Sequence, residues 1–245
     1  MNKMWRRLLV GAFWIALWWA VARAVGLNLL LPGPEDTLRA LFRLAQTGEF
    51  YQSVGMTLLR VTLGYVLAVL LGAALAALCF RFSFADALLS PLRTVIKATP
   101  VSSFIILVLL WMQKVRVPVF ISFLMVLPMV WTGVQEALSA IDPDLKEMTA
   151  AYGFSPMKKL KYLYVPSVKP VLTAACVTGM GFAWKSGIAA EVIARPQGVI
   201  GTHLYDAQIY LERADLFAWT LTVILLSMVL EAVLKRHMGR KGAAA

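Results

Sequence analysis

The chain has 245 residues, of which 60% are hydrophobic and 15% charged, with a mean hydropathy of +0.74. A water-soluble domain of this length has no use for so much apolar sequence, so the composition excludes a soluble enzyme and points to a polytopic membrane protein. The net charge of +11 does not indicate a nucleic-acid surface, because the basic residues sit mainly at the ends of apolar runs, where they set topology.

The first apolar segment, Leu8 to about Val25, follows Lys3, Arg6 and Arg7. Ala20-Val21-Ala22 has the small-x-small form of a signal-peptide cleavage site. Against cleavage stand the bulky Trp14, Trp18 and Trp19 and the need for an even number of spans, which favour a retained helix. Leu31-Pro32-Gly33-Pro34 breaks the chain, and Glu35 to Gln46 reads as a short amphipathic helix outside the membrane. Val61 to Phe80 is free of charge and long enough to span the roughly 30 Å of hydrocarbon. Gly64, Ala68, Gly72 and Ala76 recur along it every fourth residue, a small-residue stripe that predicts close packing against another helix.

A third span, about Ala87 to Met112, is interrupted at Ala98 to Ser103. Pro100 removes a helical hydrogen bond, and neighbouring hydroxyls such as Ser102 can satisfy the freed carbonyls. Such a break either lines a transport path or is a tolerated kink. The fourth span, Val117 to Gln135, contains Pro128. The fifth, about Val168 to Ala190, carries Gly179, Gly181 and Gly187 with Trp184 and Lys185. A re-entrant loop, Glu191 to Asp215, holds one short helix, and the sixth span runs from Leu216 to about Leu234. The expected fold is therefore all-α: one transmembrane domain over 1–245, with a peripheral part (1–55), a core (56–236) and a polar loop (139–166).

That polar loop is the longest interruption between two apolar segments. Asp142 can cap a first short helix with Pro143 at its first position, and Gly153 stops it in the left-handed conformation. Ser155 and Pro156 repeat the cap-then-proline signal for a second helix, expected to end at Pro166. With six spans and both termini on the elbow's side, fifteen of the 24 basic residues fall on that side, which makes it cytoplasmic.

The spacing of Glu147, Gly153 and Leu163-Tyr164-Val165-Pro166 resembles the E-A-A…G…I-x-L-P loop of ABC-importer permeases. Met148 and Thr149 stand where two alanines would, although Ala150 and Ala151 follow. Leu31 to Pro34, Thr57 to Val61, Trp184 to Gly187, Ala189-Ala190-Glu191 and Gly198 to Gly201 resemble the nitrate, taurine and alkanesulfonate branch, which also imports vitamin precursors.

The resemblance implies a prokaryotic inner-membrane subunit with cytoplasmic termini. Its partners would be a second permease, identical or homologous, a cytoplasmic ABC ATPase dimer and an extracytoplasmic substrate-binding protein. Glu147, Ala150, Ala151, Gly153 and Pro166 would then form the ATPase-coupling loop. ATP and magnesium would bind the partner ATPase, since this chain has no G-x-x-x-x-G-K-[ST] loop.

Candidates for the path are Pro100, Ser102, Trp131, Met180, Trp184 and Lys185. Lys185 either draws an anionic substrate, snorkels to the interface or pairs with Glu191; the aromatics either shape a pore or pack. Cys79 and Cys176 lie in apolar runs, and the two histidines are far apart in sequence, so neither a disulfide framework nor a metal site is implied. A stand-alone secondary transporter needs intramembrane acids, and no Asp or Glu falls in the uncharged runs of the second to sixth spans; an intramembrane enzyme needs a catalytic constellation that is missing.

Overall fold

The structure, a computed structural model, describes residues 3–26 and 30–242. All the regular elements in those residues are helical. They are α1 (Lys3–Val25), α2 (Pro34–Ala45), α3 (Gly48–Arg81), α4 (Ser83–Ala98), α5 (Val101–Leu109), α6 (Val117–Ser139), α7 (Pro143–Ala151), α8 (Pro156–Lys159), α9 (Val165–Ala194), α10 (Ile200–Ile209) and α11 (Arg213–Gly242). A π-helical turn, Leu160–Tyr164, joins α8 to α9.

The stripe of small residues on α3 determines how the core is built. Gly64, Ala68, Gly72 and Ala76 are all buried, and the stripe faces α6. A Cβ at Gly64 would overlap the carbonyl oxygen of Val119, and one at Gly72 would come within 3.1 Å of the Leu127 oxygen. Only a bare backbone lets α3 and α6 lie this close, as the fourfold spacing predicted. α9 closes the triangle in the same way: a Cβ at Gly187 would sit 2.5 Å from Val61 Cγ2 and 2.6 Å from Ser122 Oγ. Ser122 donates across the contact to the Ala183 carbonyl at 3.0 Å, and Tyr65 donates to the Cys176 carbonyl at 3.0 Å. These bonds satisfy hydroxyls that would otherwise be orphaned in an apolar interior.

Around this triangle the remaining helices pack more loosely. α11 rests on α9, where Trp184 Nε1 donates to the Val223 carbonyl at 3.1 Å. α2 is tied to the start of α11 by an ion pair between Arg43 and Asp215. α1 stands apart from the core and is exposed along nearly all of its length, with Trp18 stacked on Phe217 of α11.

Among the described residues, four helices are long and apolar enough to cross a membrane: Leu8–Val25, Gly48–Arg81, Val117–Ser139 and Arg213–Arg236. The expected third span proves to be two helices, α4 and α5, bent by 104° at Thr99-Pro100, and counting that pair as one span gives five. Pro100 offers no N–H and opens α5 instead, while Thr99 Oγ1 donates to the Val95 carbonyl at 2.8 Å and closes α4. The remaining expected span, α9, has 30 residues but is diluted by Lys169, Lys185, threonines and glycines.

The close approach at Gly64 generates a prediction. Gly64→Ala should push α3 off α6 and cost about 1–3 kcal/mol. Thermal melting of the detergent-purified chain should show the drop, whereas alanine at Gly55, which faces open space inside the same helix, should not lower the melting temperature.

Candidate functional site

At one end of the core, α3 and α6 finish and α9 begins, and here the polar loop folds as two short helices, α7 and α8, on either side of Gly153, an elbow in outline. Asp142 caps α7 by accepting from the Asp144 N–H at 2.9 Å, with Pro143 at the first helical turn. Gly153 has φ +62°, its N–H donates to the Ala150 carbonyl, and the Phe154 N–H donates to the Thr149 carbonyl, both at 3.0 Å. That pair of bonds is a Schellman motif, which satisfies two carbonyls at the end of α7 and requires the left-handed residue between them. Ser155 then caps α8, accepting from the Lys158 N–H at 3.4 Å.

The second short helix does not stop at Pro166. It runs through the π turn into α9, with Pro166 in the first turn of α9. The Val165 N–H bonds back to Leu160, five residues away. The wider turn makes room for a proline that would otherwise crowd the carbonyl four residues earlier. α8, the turn and α9 are therefore one continuous helical rod.

Ile141 and Leu163 are buried in the core on either side of the elbow and pin it to the bundle. Thr149 is buried on its inner face, donating to the Lys146 carbonyl, and the Lys146 ammonium lies over the Phe80 ring. Glu147, Ala150, Ala151, Gly153 and Pro166 all point outward and are exposed. The elbow also carries exposed apolar residues whose exposure the sequence reading did not use: Leu145, Met148, Tyr152 and Met157, the last two more than 70% exposed. The first three recur at helical spacing, which was the available signal.

The six path candidates separate into two groups. Pro100 and Ser102 are exposed at the α4–α5 bend, and Lys185 is exposed on α9. Lys185 shares a stripe with Val171, Ala174, Thr178 and Phe182, all exposed at intervals of three or four residues. Trp131, Met180 and Trp184 are instead buried in the core of the chain, at 1%, 5% and 1% exposure, so they pack rather than present a face.

Lys185 does not pair with Glu191, which is fully buried at the far end of α9. There one carboxylate oxygen of Glu191 accepts from the Thr57 hydroxyl at 2.9 Å and from the Gly201 N–H at 3.1 Å. Thr57 in turn accepts from the Ile200 N–H at 3.1 Å. A Cβ at Gly201 would overlap Glu191 Cβ, so the start of α10 needs glycine to reach the carboxylate. Arg60, also buried, is the neighbouring cation. No group of three potential metal ligands gathers among the described residues.

A profile of the family described as "Binding-protein-dependent transport system inner membrane component" matches residues 64–239. A probable ABC transporter permease of Brucella melitensis is 25% identical over 218 residues, covering 89% of this chain and 88% of that one. A putative aliphatic sulfonates transport permease of Escherichia coli is 25% identical over 184 residues, covering 74% and 70%. Among solved structures, a bacterial ABC transporter involved in import of the acidic polysaccharide alginate superposes with a TM-score of 0.62 at 16% identity, over 97% of this chain and 95% of that chain. With the profile matching well over half of its length, this chain belongs to the binding-protein-dependent inner-membrane components and is a permease subunit of an ABC importer.

Proposed function

We propose that the chain forms one half of the path of an ATP-driven importer for a small anionic solute, with the elbow docked in a groove of a separate cytoplasmic ATPase. The observation that carries this reading is the elbow itself. It exposes an acid, Glu147, without an ion-pair partner among the described residues, and on another face of the same short helix the apolar Leu145, Met148 and Tyr152, and the Gly153 turn joins that helix to the rod formed by α8 and α9. Exposed apolar side chains and an unpaired acid on one short helix suit a protein groove better than water, and the rod that starts just beyond Gly153 lets force applied there move a whole helix. ATP and magnesium belong to the ATPase dimer. A second permease, an identical or homologous copy, completes the path, and an extracytoplasmic binding protein delivers the solute. The fifteen basic residues on the elbow side support a cytoplasmic location for it and for both termini.

The anionic preference rests on Lys185, which stands on the unpartnered stripe of α9 without a salt bridge. A cation on a helix face open to a path attracts negative solutes and repels positive ones. The sulfonate-transport relative fits that chemistry.

Two experiments test the reading. In detergent, the wild-type chain should co-purify with the ATPase encoded beside it, and Glu147→Ala should weaken that association at least tenfold. Gly153→Val forces a β-branched residue to φ +62° and costs the elbow about 1–2 kcal/mol; it should abolish the association while the bundle still melts cooperatively. A wild-type chain that never holds an ATPase, yet moves solute in liposomes under an ion gradient, would overturn the importer reading. For the path, Lys185→Gln should lower uptake of an alkanesulfonate about tenfold with the ATPase still bound, and undiminished uptake would remove Lys185 from it.

A further inference from the structure

The far end of α9 holds a buried polar joint that neither packing nor the elbow explains. Glu191 is 0% exposed, Thr57 0% and Arg60 7%, in a region otherwise filled by Val61, Ile188 and Ile200. One oxygen of Glu191 carries two hydrogen bonds; its other oxygen and one Arg60 guanidinium nitrogen are buried without a partner. An acid and a base held out of water with incomplete hydrogen bonding are costly, and an apolar pair would pack the same space more cheaply. Stability alone therefore does not account for the joint.

Its connections do. Thr57 donates to Glu191 and accepts from Ile200, so a single hydroxyl ties α3, α9 and the start of α10 together. Gly201 adds a backbone bond from α10 to the same carboxylate oxygen. At the opposite end of its 30 residues, α9 continues through the π turn into the elbow. A rise of about 1.5 Å per residue makes α9 roughly 45 Å long. Any displacement of α9 relative to α3 and α10, neither of which belongs to that rod, stretches the Glu191 bonds at this end.

We infer that Glu191, with Thr57 as its relay and Arg60 as its counter-charge, is a positioning residue that latches α10 over the outer end of the bundle until α9 is driven from the elbow. The incomplete bonding makes the latch releasable: a fully satisfied network would hold too tightly, and an apolar one would have no discrete broken state. This inference rests on the importer reading for the source of the drive, but the latch itself can be tested on the permease alone.

A cysteine introduced at the buried Ala207 of α10 reports lifting of that helix by its rate of maleimide labelling; the native Cys79 and Cys176 are buried, and the chain lacking the added cysteine gives the background. Thr57→Val keeps the shape and removes the relay, leaving the Ile200 N–H and the carboxylate short of partners. Losing a hydrogen bond to a charged group shifts an opening equilibrium roughly tenfold, so labelling should accelerate by about that factor. Thr57→Ser, which restores the hydroxyl, should label at the wild-type rate, and Glu191→Gln, which keeps the acceptor but loses the attraction to Arg60, should label faster than wild type. In the reconstituted importer, Thr57→Val and Glu191→Gln should also raise ATP hydrolysis in the absence of binding protein severalfold. Thr57→Ser as leaky as Thr57→Val would reduce the joint to packing, and wild-type labelling in Thr57→Val and Glu191→Gln would overturn the latch. Faster labelling in a permease that binds no ATPase would instead leave the latch standing and remove the proposed source of its drive.

Discussion

Backbone-to-backbone contact among α3, α6 and α9 is the constraint on which the rest of the molecule depends. In a bilayer, lipid tails offer side chains as apolar a surrounding as the protein interior does, so helices associate where small residues allow close approach and where hydroxyls find carbonyls across the gap. Gly64 against Val119, Gly72 against Leu127 and Gly187 against Val61 and Ser122 supply the first. Ser122 to Ala183 and Tyr65 to Cys176 supply the second. The consequence is a core in which α9 cannot tilt independently at its middle, so that a displacement at one end reaches the other.

This explains why the two polar specialisations lie at opposite ends of α9. At the elbow, Ile141 and Leu163 anchor the loop while the residues between them stay outside the core, with Thr149 turned in and Glu147 turned out. At the far end, Glu191 is sealed in with Thr57, Arg60 and the start of α10. The π turn matters here. A helix that ended at Pro166 would be a hinge, and it would absorb motion before it reached the membrane; the widened turn accommodates the proline without interrupting the rod.

Much of this was legible in the sequence, for reasons that are local. Asp142-Pro143, Gly153 and Ser155-Pro156 determine their own conformations through caps, a fixed proline φ and a left-handed glycine, so the elbow could be read residue by residue. The fourfold recurrence of small residues on α3 likewise encodes its packing face. What could not be read depends on partners distant in the chain. Trp131, Met180 and Trp184 look the same in a pore wall as in a core, and only the position of α3 and α11 decides that they are core. The 104° bend at Pro100 exceeds what a proline alone implies, because it also reflects α5 turning to pack Ile105 beside Ala190 of α9. Glu191 stood next to a visible Lys185, and the helix places the two on different faces.

The division of α9 into faces carries a last consequence for transport. Its buried side includes a row of small residues, Cys176, Gly179, Ala183, Gly187 and Ala190, committed to α3, α5 and α6. Its exposed side runs from Val171 through Ala174, Thr178 and Phe182 to Lys185 and is mixed in character, with one hydroxyl, one aromatic ring and one cation. A face meant only for lipid would be uniformly apolar, since a lysine or threonine gains nothing there. A face meant only for a partner helix would favour small or purely apolar contacts. A sparse series of different polar groups on an apolar stripe is what a surface needs if a solute is to touch it briefly and leave. If the proposed path includes that surface, its position on the helix that runs from the elbow to Glu191 would make a solute-contacting group move with both ends of α9, with no additional element needed to connect them.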